Sequence, residues 1–270
     1  MSVRRYLRGA PSWEVLEAVG RELAEAYDRP VVRLEFLESE NWLSTPLVLD
    51  REFFVKVITP RNAFVHALIT GARNIGAFSS GTAGFFEHFE DPHEMARHEL
   101  QATRRIREAG VNAPEPIETF EVGSVGVLVL DYLEGFRTLD LVSESTVRGQ
   151  LQAVFESLAT MHEEGIAHGD LRAENLLLVD GDVYVIDATA VDAGALPEAK
   201  AYDLACALGT LEPIVGASDA VDAAASVYPT RTLVDTIDFL DFVNIRPDHD
   251  FDAASLKGEI TTVAEREEGP

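Results

Sequence analysis

The stretch 168–187, HGDLRAENLLLVDGDVYVID, constrains this chain more than any other. Two short apolar runs, 176–179 and 183–186, flank Asp180-Gly181, a dipeptide that favours a two-residue hairpin turn. A turn at 180 and 181 sets Asn175 opposite Ile186 and closes it against Asp187 at the open end of the hairpin. An amide oxygen and a carboxylate held together there suit a hard cation such as Mg²⁺ or Mn²⁺, which takes oxygen ligands and keeps waters that a phosphate can replace. Asp170 lies on the loop entering the hairpin. Each of the three alone reads as an ordinary turn or cap residue; together they define a candidate site.

The surroundings are acidic. Against 22 basic residues stand 47 acidic ones, a net charge of −25, and the only lysines are Lys56, Lys200 and Lys257. That balance fits a protein working at high salt, where screening weakens self-repulsion. It makes direct nucleic-acid binding unlikely, because the phosphate backbone needs clustered Lys and Arg. The single cysteine, Cys206, sits in an apolar run and reads as a buried structural thiol, which excludes a disulfide framework or cysteine metal cluster within one chain. With neither a leader-like segment nor a long apolar span in the sequence, a cytoplasmic protein without a membrane partner is expected.

Patterning changes along the chain. Residues 12–27 carry Trp13, Leu16, Val19, Leu23 and Tyr27 at helical spacing behind Ser12, a cap residue. Three strands are expected at 31–37, 46–49 and 52–58, the last two joined by a tight turn at Asp50-Arg51. Asp91-Pro92 opens a helix that Gly110 stops, and 126–130 reads as a buried strand leading into Asp131-Tyr132-Leu133-Glu134-Gly135. From there helices dominate: 146–164, then about 199–209, 218–227, 231–244 and 252–266. The fold class is therefore α+β, with a sheet-rich lobe over 1–134 and a helical lobe over 135–270. Residues 70–86, rich in glycine and lying between the strand of Lys56 and the helix of Glu99, form either a phosphate lid or an irregular insertion packed by its phenylalanines.

Lys56 interrupts the apolar run 53–58, and a cation there asks for an anion. The helix at 92–109 offers Glu99, which falls on the stripe Met95, Ala102, Ile106, Ala109. A carboxylate facing a core needs a partner; the alternative is two side chains snorkelling at the surface.

The order Lys56, Glu99, Leu130-Asp131-Tyr132-Leu133, His168-Gly169-Asp170, Asn175, Ile186-Asp187 resembles the protein-kinase-like superfamily and its two-lobed fold. It is most similar to the atypical RIO branch, where H-R-D becomes H-G-D and D-F-G becomes I-D-x, and within that branch to haloarchaeal regulatory kinase/ATPases. The resemblance implies ATP as cofactor, with Lys56 on its α and β phosphates, Glu99 orienting Lys56, and backbone groups of Asp131 and Leu133 on adenine behind Leu130. It implies Asp170 as catalytic base, Arg172 near the γ-phosphate, His168 bracing the loop, and Asn175 and Asp187 as metal ligands. Asp203 would tie the following helix to the catalytic-loop backbone. No glycine lies between the first two strands, and no A-P-E signature follows Asp187. The phosphate-covering loop is therefore absent or replaced, and a peptide-docking groove of the common kind is not expected.

Three uses remain open: a serine/threonine protein kinase or regulatory ATPase acting on a protein acceptor, a small-molecule phosphotransferase similar to aminoglycoside and choline kinases, and an ATP-binding assembly switch. The short span from Gly135 to His168 leaves little room for a small-molecule pocket, which favours the first.

Overall fold

A computed structural model describes residues 11–37, 43–67, 70, 89, 91–188, 196–246 and 249–268. Of the expected phosphate lid only Thr70 falls within them, and most of the connection between the first two strands also lies outside. The chain divides into two compact units, one made of 1–72, 88–104 and 114–134, the other of 73–87, 105–113 and 135–270.

The first unit is built on a five-stranded antiparallel sheet in the order β1-β2-β3-β5-β4. Its strands are β1 (Leu34–Phe36), β2 (Thr45–Leu49), β3 (Phe53–Ile58), β4 (Pro116–Val122) and β5 (Val125–Asp131). A tight three-residue connection, 50–52, joins β2 to β3: Leu49 pairs with Phe53, the Glu52 N–H donates to the Leu49 carbonyl at 2.9 Å, and Asp50 and Arg51 both take positive φ. Side chains alternate across a strand, so residue parity assigns the faces. The odd-numbered Leu47, Leu49, Val55, Val57, Val125, Val127 and Val129 pack with Leu16, Val19 and Leu23 of helix α1 (Trp13–Ala26). The even-numbered Ile58, Leu128 and Leu130 pack with Ala96 and Leu100 of helix α2 (Pro92–Glu108). A sheet covered on both faces explains the unbroken apolar run of β5, buried from Val125 through Leu130.

The N-terminus of α2 follows the expected cap, since Asp91 Oδ1 accepts from the backbone N–H groups of His93 at 2.7 Å and Glu94 at 3.1 Å. Its first turn meets β5 so closely that a Cβ at Gly126 would stand 2.3 Å from the Pro92 carbonyl oxygen. The expected stripe needs correction: the buried face is Ala96, Leu100, Thr103 and Ile106, whereas Met95, Glu99 and Ala102 border it.

The second unit is helical apart from one small sheet, β6-β7-β8: β6 (Arg137–Thr138), β7 (Leu176–Val179) and β8 (Asp182–Val185). The β7–β8 register pairs Leu176 with Val185 and Val179 with Asp182, as a turn at 180 and 181 demands. Asp180 and Gly181 both take positive φ. Helix α3 (Glu144–Glu163) buries Val147, Leu151, Val154, Phe155, Leu158 and Met161, the face its spacing predicts. Helix α4 (Leu196–Val215) packs against α3 and against α5 (Ala217–Ala225), α6 (Thr230–Ile245) and α7 (Ala253–Glu268). Being enclosed, α4 is apolar around most of its circumference, and Tyr202, Leu204, Cys206 and Leu208 are all fully buried. Cys206 is the buried thiol expected from sequence, and burial pushes its pKa up to about 12. No described helix is long and apolar enough to cross a membrane.

Candidate functional site

Lys56 is even-numbered on β3, so it projects from the face that α2 covers. Its Nζ lies 2.7 Å from Oε1 and 2.9 Å from Oε2 of Glu99, a two-pronged ion pair with side chains only 6% and 14% exposed. Snorkelling would leave the charged heads in water, so this geometry rejects that alternative. Leu130 occupies the same face of β5, where it pairs across from Phe54 and is buried. The following segment leaves the sheet through two backbone bonds, Asp131 N–H to Glu115 at 2.9 Å and Tyr132 N–H to Glu52 at 2.9 Å. With those donors committed, the Asp131 carbonyl and the Leu133 peptide are the groups an adenine edge could use.

In the second unit, the loop from His168 to Asn175 is held from several sides. Asp203, fully buried on α4, accepts from the His168 N–H at 2.5 Å through Oδ2 and from the Gly169 N–H at 2.7 Å through Oδ1. A carboxylate taking two backbone donors is a strong acceptor site, and it fixes the turn in which Gly169 adopts φ +78°. Behind it, His162 Nε2 stands 3.3 Å from Asp203 Oδ2, and the Tyr228 hydroxyl is 2.9 Å from His162 Nδ1. Burial, with Asp203 and Glu163 nearby, pushes the Tyr228 phenol well above its ordinary value, so it stays a neutral partner.

His168 is fully buried and spends both ring nitrogens internally. Nε2 is 2.9 Å from the Ile186 carbonyl and Nδ1 accepts from the Asp170 N–H at 3.2 Å, so Nε2 carries the proton. It fastens the loop to the hairpin strand that precedes Asp187. Asn175 makes a second tie: Nδ2 donates to the Asp170 carbonyl at 2.8 Å, while its own carbonyl accepts from the Ile186 N–H at 3.1 Å. With the amide nitrogen so engaged, Oδ1 is the atom Asn175 has to offer a metal. Asp187 follows Ile186 at φ +61°, a left-handed backbone that costs a non-glycine residue energy and marks a constrained position. Among the described residues, no group of three or more His, Cys, Asp or Glu could hold a metal by itself. The donor chemistry of Asn175 and Asp187, one amide oxygen and one carboxylate at the hairpin end, is of the kind that suits Mg²⁺ when water and phosphate complete the shell.

Asp170 is itself buried between two guanidinium groups. Arg246 Nη2 donates to Oδ1 at 2.6 Å, and Arg172 Nε lies 3.4 Å from Oδ2 while its Nη1 donates to Glu174 at 2.9 Å. The structure thus gathers Lys56, Glu99 and Leu130 on one sheet face of the first unit, and His168, Asp170, Arg172, Asn175 and Asp187 along one loop and hairpin of the second. Sequence reasoning missed Arg246, which is 76 positions from Asp170 and follows a helix with no local signal of its contact.

An antiparallel five-stranded sheet with an inward lysine–glutamate pair, followed by a helical unit carrying the loop and hairpin described above, defines a chain of the two-lobed protein-kinase-like fold. Residues 89–201 match the RIO domain family, and part of the chain is similar to Bud32 and to a RIO-type kinase. The KEOPS complex subunit Bud32 of Pyrococcus abyssi is 34% identical over 115 residues, 41% of this chain and 51% of that protein. The RIO-type serine/threonine-protein kinase Rio1 of Haloferax volcanii is 33% identical over 91 residues, 34% of this chain and 31% of that protein. The chain therefore spans about half or less of the length of these curated relatives. Among solved structures, an aminoglycoside-3'-phosphotransferase of type VIII shares the fold with TM-score 0.50 and 17% identity, covering 86% of this chain and all of that one.

Proposed function

We propose that the chain is an ATP- and Mg²⁺-dependent phosphotransferase of the RIO type, transferring the γ-phosphoryl group to a protein hydroxyl or, in the absence of an acceptor, to water. The observation that carries this reading is the double use of Asn175. Its side chain holds the Asp170 carbonyl and its backbone holds Ile186, so one residue ties the loop of the base to the strand leading into Asp187. In this reading Asp170 accepts the proton of the attacking hydroxyl and Arg172 faces the transferred phosphoryl group. Lys56, aimed by Glu99, neutralises the α and β phosphates, and Asp131 and Leu133 meet adenine through their backbone beside Leu130. Asn175 and Asp187 would hold the divalent cation, whose charge offsets that developing on the phosphate oxygens. The net charge of −25 supports a protein rather than a nucleic-acid partner, in a cytoplasm of high salt. That Bud32 is a subunit of a complex supports a protein partner too.

The test is calorimetry of ATP binding with and without Mg²⁺ on the folded Asp187→Ala variant. Loss of the metal-dependent component is expected, and unchanged metal-dependent affinity overturns the assignment.

A second reading, a small-molecule phosphotransferase, is favoured by one feature: a cavity of ≈ 210 Å³ beside the catalytic loop, lined by Asp140, Arg172, Glu174, Thr210, His249 and Asp250. Its carboxylates suit a cationic hydroxyl compound. Phosphate transfer to an amino sugar at a rate above ATP hydrolysis would select that reading over a protein acceptor.

A further inference from the structure

Arg246 stands immediately after α6 and is 7% exposed. Besides its 2.6 Å contact to Asp170 Oδ1, its Nη1 donates to the Tyr202 hydroxyl and lies 3.8 Å from Cys206 Sγ, while the guanidinium carbon is 6.0 Å from the Tyr202 ring centroid. Tyr202 and Cys206 flank Asp203 on α4, the residue that grips the backbone of the same loop. One helix thus fixes the loop backbone directly and fixes the Asp170 side chain through Arg246.

A buried arginine is a poor choice for stability alone. Removing its charge from water costs several kcal/mol, and a well-packed apolar residue generally serves as well or better. What a guanidinium adds is direction. Its planar donors hold a carboxylate in one rotamer, and here one donor goes to the Tyr202 hydroxyl while another goes to Asp170. With Oδ1 engaged by Arg246, Oδ2 is turned to the side where Arg172 lies.

We propose that Arg246 is a positioning residue for Asp170: the pair fixes the carboxylate so that Oδ2, beside Arg172, is presented to the hydroxyl or water that attacks phosphate. This rests on the reading of Asp170 as the base given above. Arg246 acts through Asp170 and touches no reacting atom.

The experiment is steady-state Mg–ATP turnover by the full chain, followed as phosphate released, with folding checked by circular dichroism. The variants are Arg246→Met, Arg246→Lys, Asp170→Asn and the Asp170→Asn/Arg246→Met pair. Arg246→Met is expected to lower kcat by about 100-fold, the scale of a misplaced catalytic group, with KM for ATP changed by less than about two-fold. Arg246→Lys, which keeps the charge and loses the fork, is expected to restore part of that loss. In the Asp170→Asn background the methionine substitution should cost nothing further, because the group it positions is already gone.

A folded Arg246→Met protein with wild-type kcat overturns the proposal, as does a loss confined to KM or one undiminished in the Asp170→Asn background. If Arg246→Met does not fold, Arg246→Lys decides: a folded lysine variant with unchanged kcat overturns the clamp, and a reduced kcat at unchanged KM supports it. Full turnover by Asp170→Asn alone would overturn the assignment of the base and the clamp with it. Inactive Asp170→Asn beside fully active Arg246→Met would overturn the clamp only.

Discussion

The Lys56–Glu99 pair separates stability from function in a way that can be measured. At 2.7 Å and 2.9 Å, with side chains 6% and 14% exposed, both charges have surrendered most of their hydration. Their attraction is of order 6 kcal/mol at the effective dielectric that suits such sites, and the desolvation of two ions nearly cancels it. Removing one partner is different, because the other remains buried and unmatched; such changes cost roughly 3–5 kcal/mol. Residual exposure of Glu99 places Lys56→Met at the lower end, about 3 kcal/mol. Lys56→Met/Glu99→Leu removes both charges and should regain most of that stability, to within about 1 kcal/mol of the parent. Nucleotide binding and turnover should not return, since in the proposed function Lys56 is the cation that meets the phosphates. The assay is urea unfolding in high salt on the single and double variants, paired with ATP calorimetry. Single variants within about 0.5 kcal/mol of wild type, or a double variant destabilised by the sum of the singles, would refute the reasoning.

Three further outcomes follow from the geometry. Asp203→Ala strips the His168 and Gly169 amides of their buried acceptor, and a loss of about 2–4 kcal/mol is expected with faster hydrogen exchange at those two amides. Cys206 should resist alkylation in the native protein at pH 8 and react on unfolding; with its pKa raised from 9.0 to about 12, the native state holds its proton where the unfolded state releases it. That contribution is intact below pH 9 and is lost as pH rises toward 12, so the denaturation midpoint should fall over that window, and by less in a Cys206→Ala variant, where the raised tyrosines alone still contribute above pH 10. Gly126→Ala drives a methyl group to 2.3 Å from the Pro92 carbonyl oxygen, backbone against backbone, and should cost at least about 1–3 kcal/mol by denaturant titration.

What could be read from sequence were relations set by local geometry. Two turn residues determine the hairpin register, so the meeting of Asn175 with Ile186 is arithmetic. A lone charge in an apolar strand demands a partner, and the four-residue period of a helix supplied Glu99, although the stripe taken as buried was rotated from the real one. Strand β4 was missed because its Glu118, Thr119 and Glu121 dilute the apolar signal at a sheet edge; Glu118 is accommodated by a 2.7 Å bond from the Tyr27 hydroxyl, distant in sequence. Two-residue β6 is too short to carry any pattern and exists only by pairing with β7. Arg246, Tyr228 and His162 were illegible for the same reason: each has meaning only once α3, α4 and α6 are packed.

The bracing of the H-G-D loop also imposes an order on synthesis and folding. Asn175 reaches Asp170 across 5 positions, but Asp203 must close 35 to hold His168 and Arg246 must close 76 to hold Asp170. Lengthening the closed loop from the first to the last adds roughly 2 kcal/mol of chain entropy. A nascent chain ending shortly after the hairpin would contain every residue of the H-G-D loop and the I-D pair yet lack the helices that immobilise them. During translation the loop can acquire its final geometry only after residue 246 has left the ribosome, so the ATP chemistry proposed for it would begin late in synthesis.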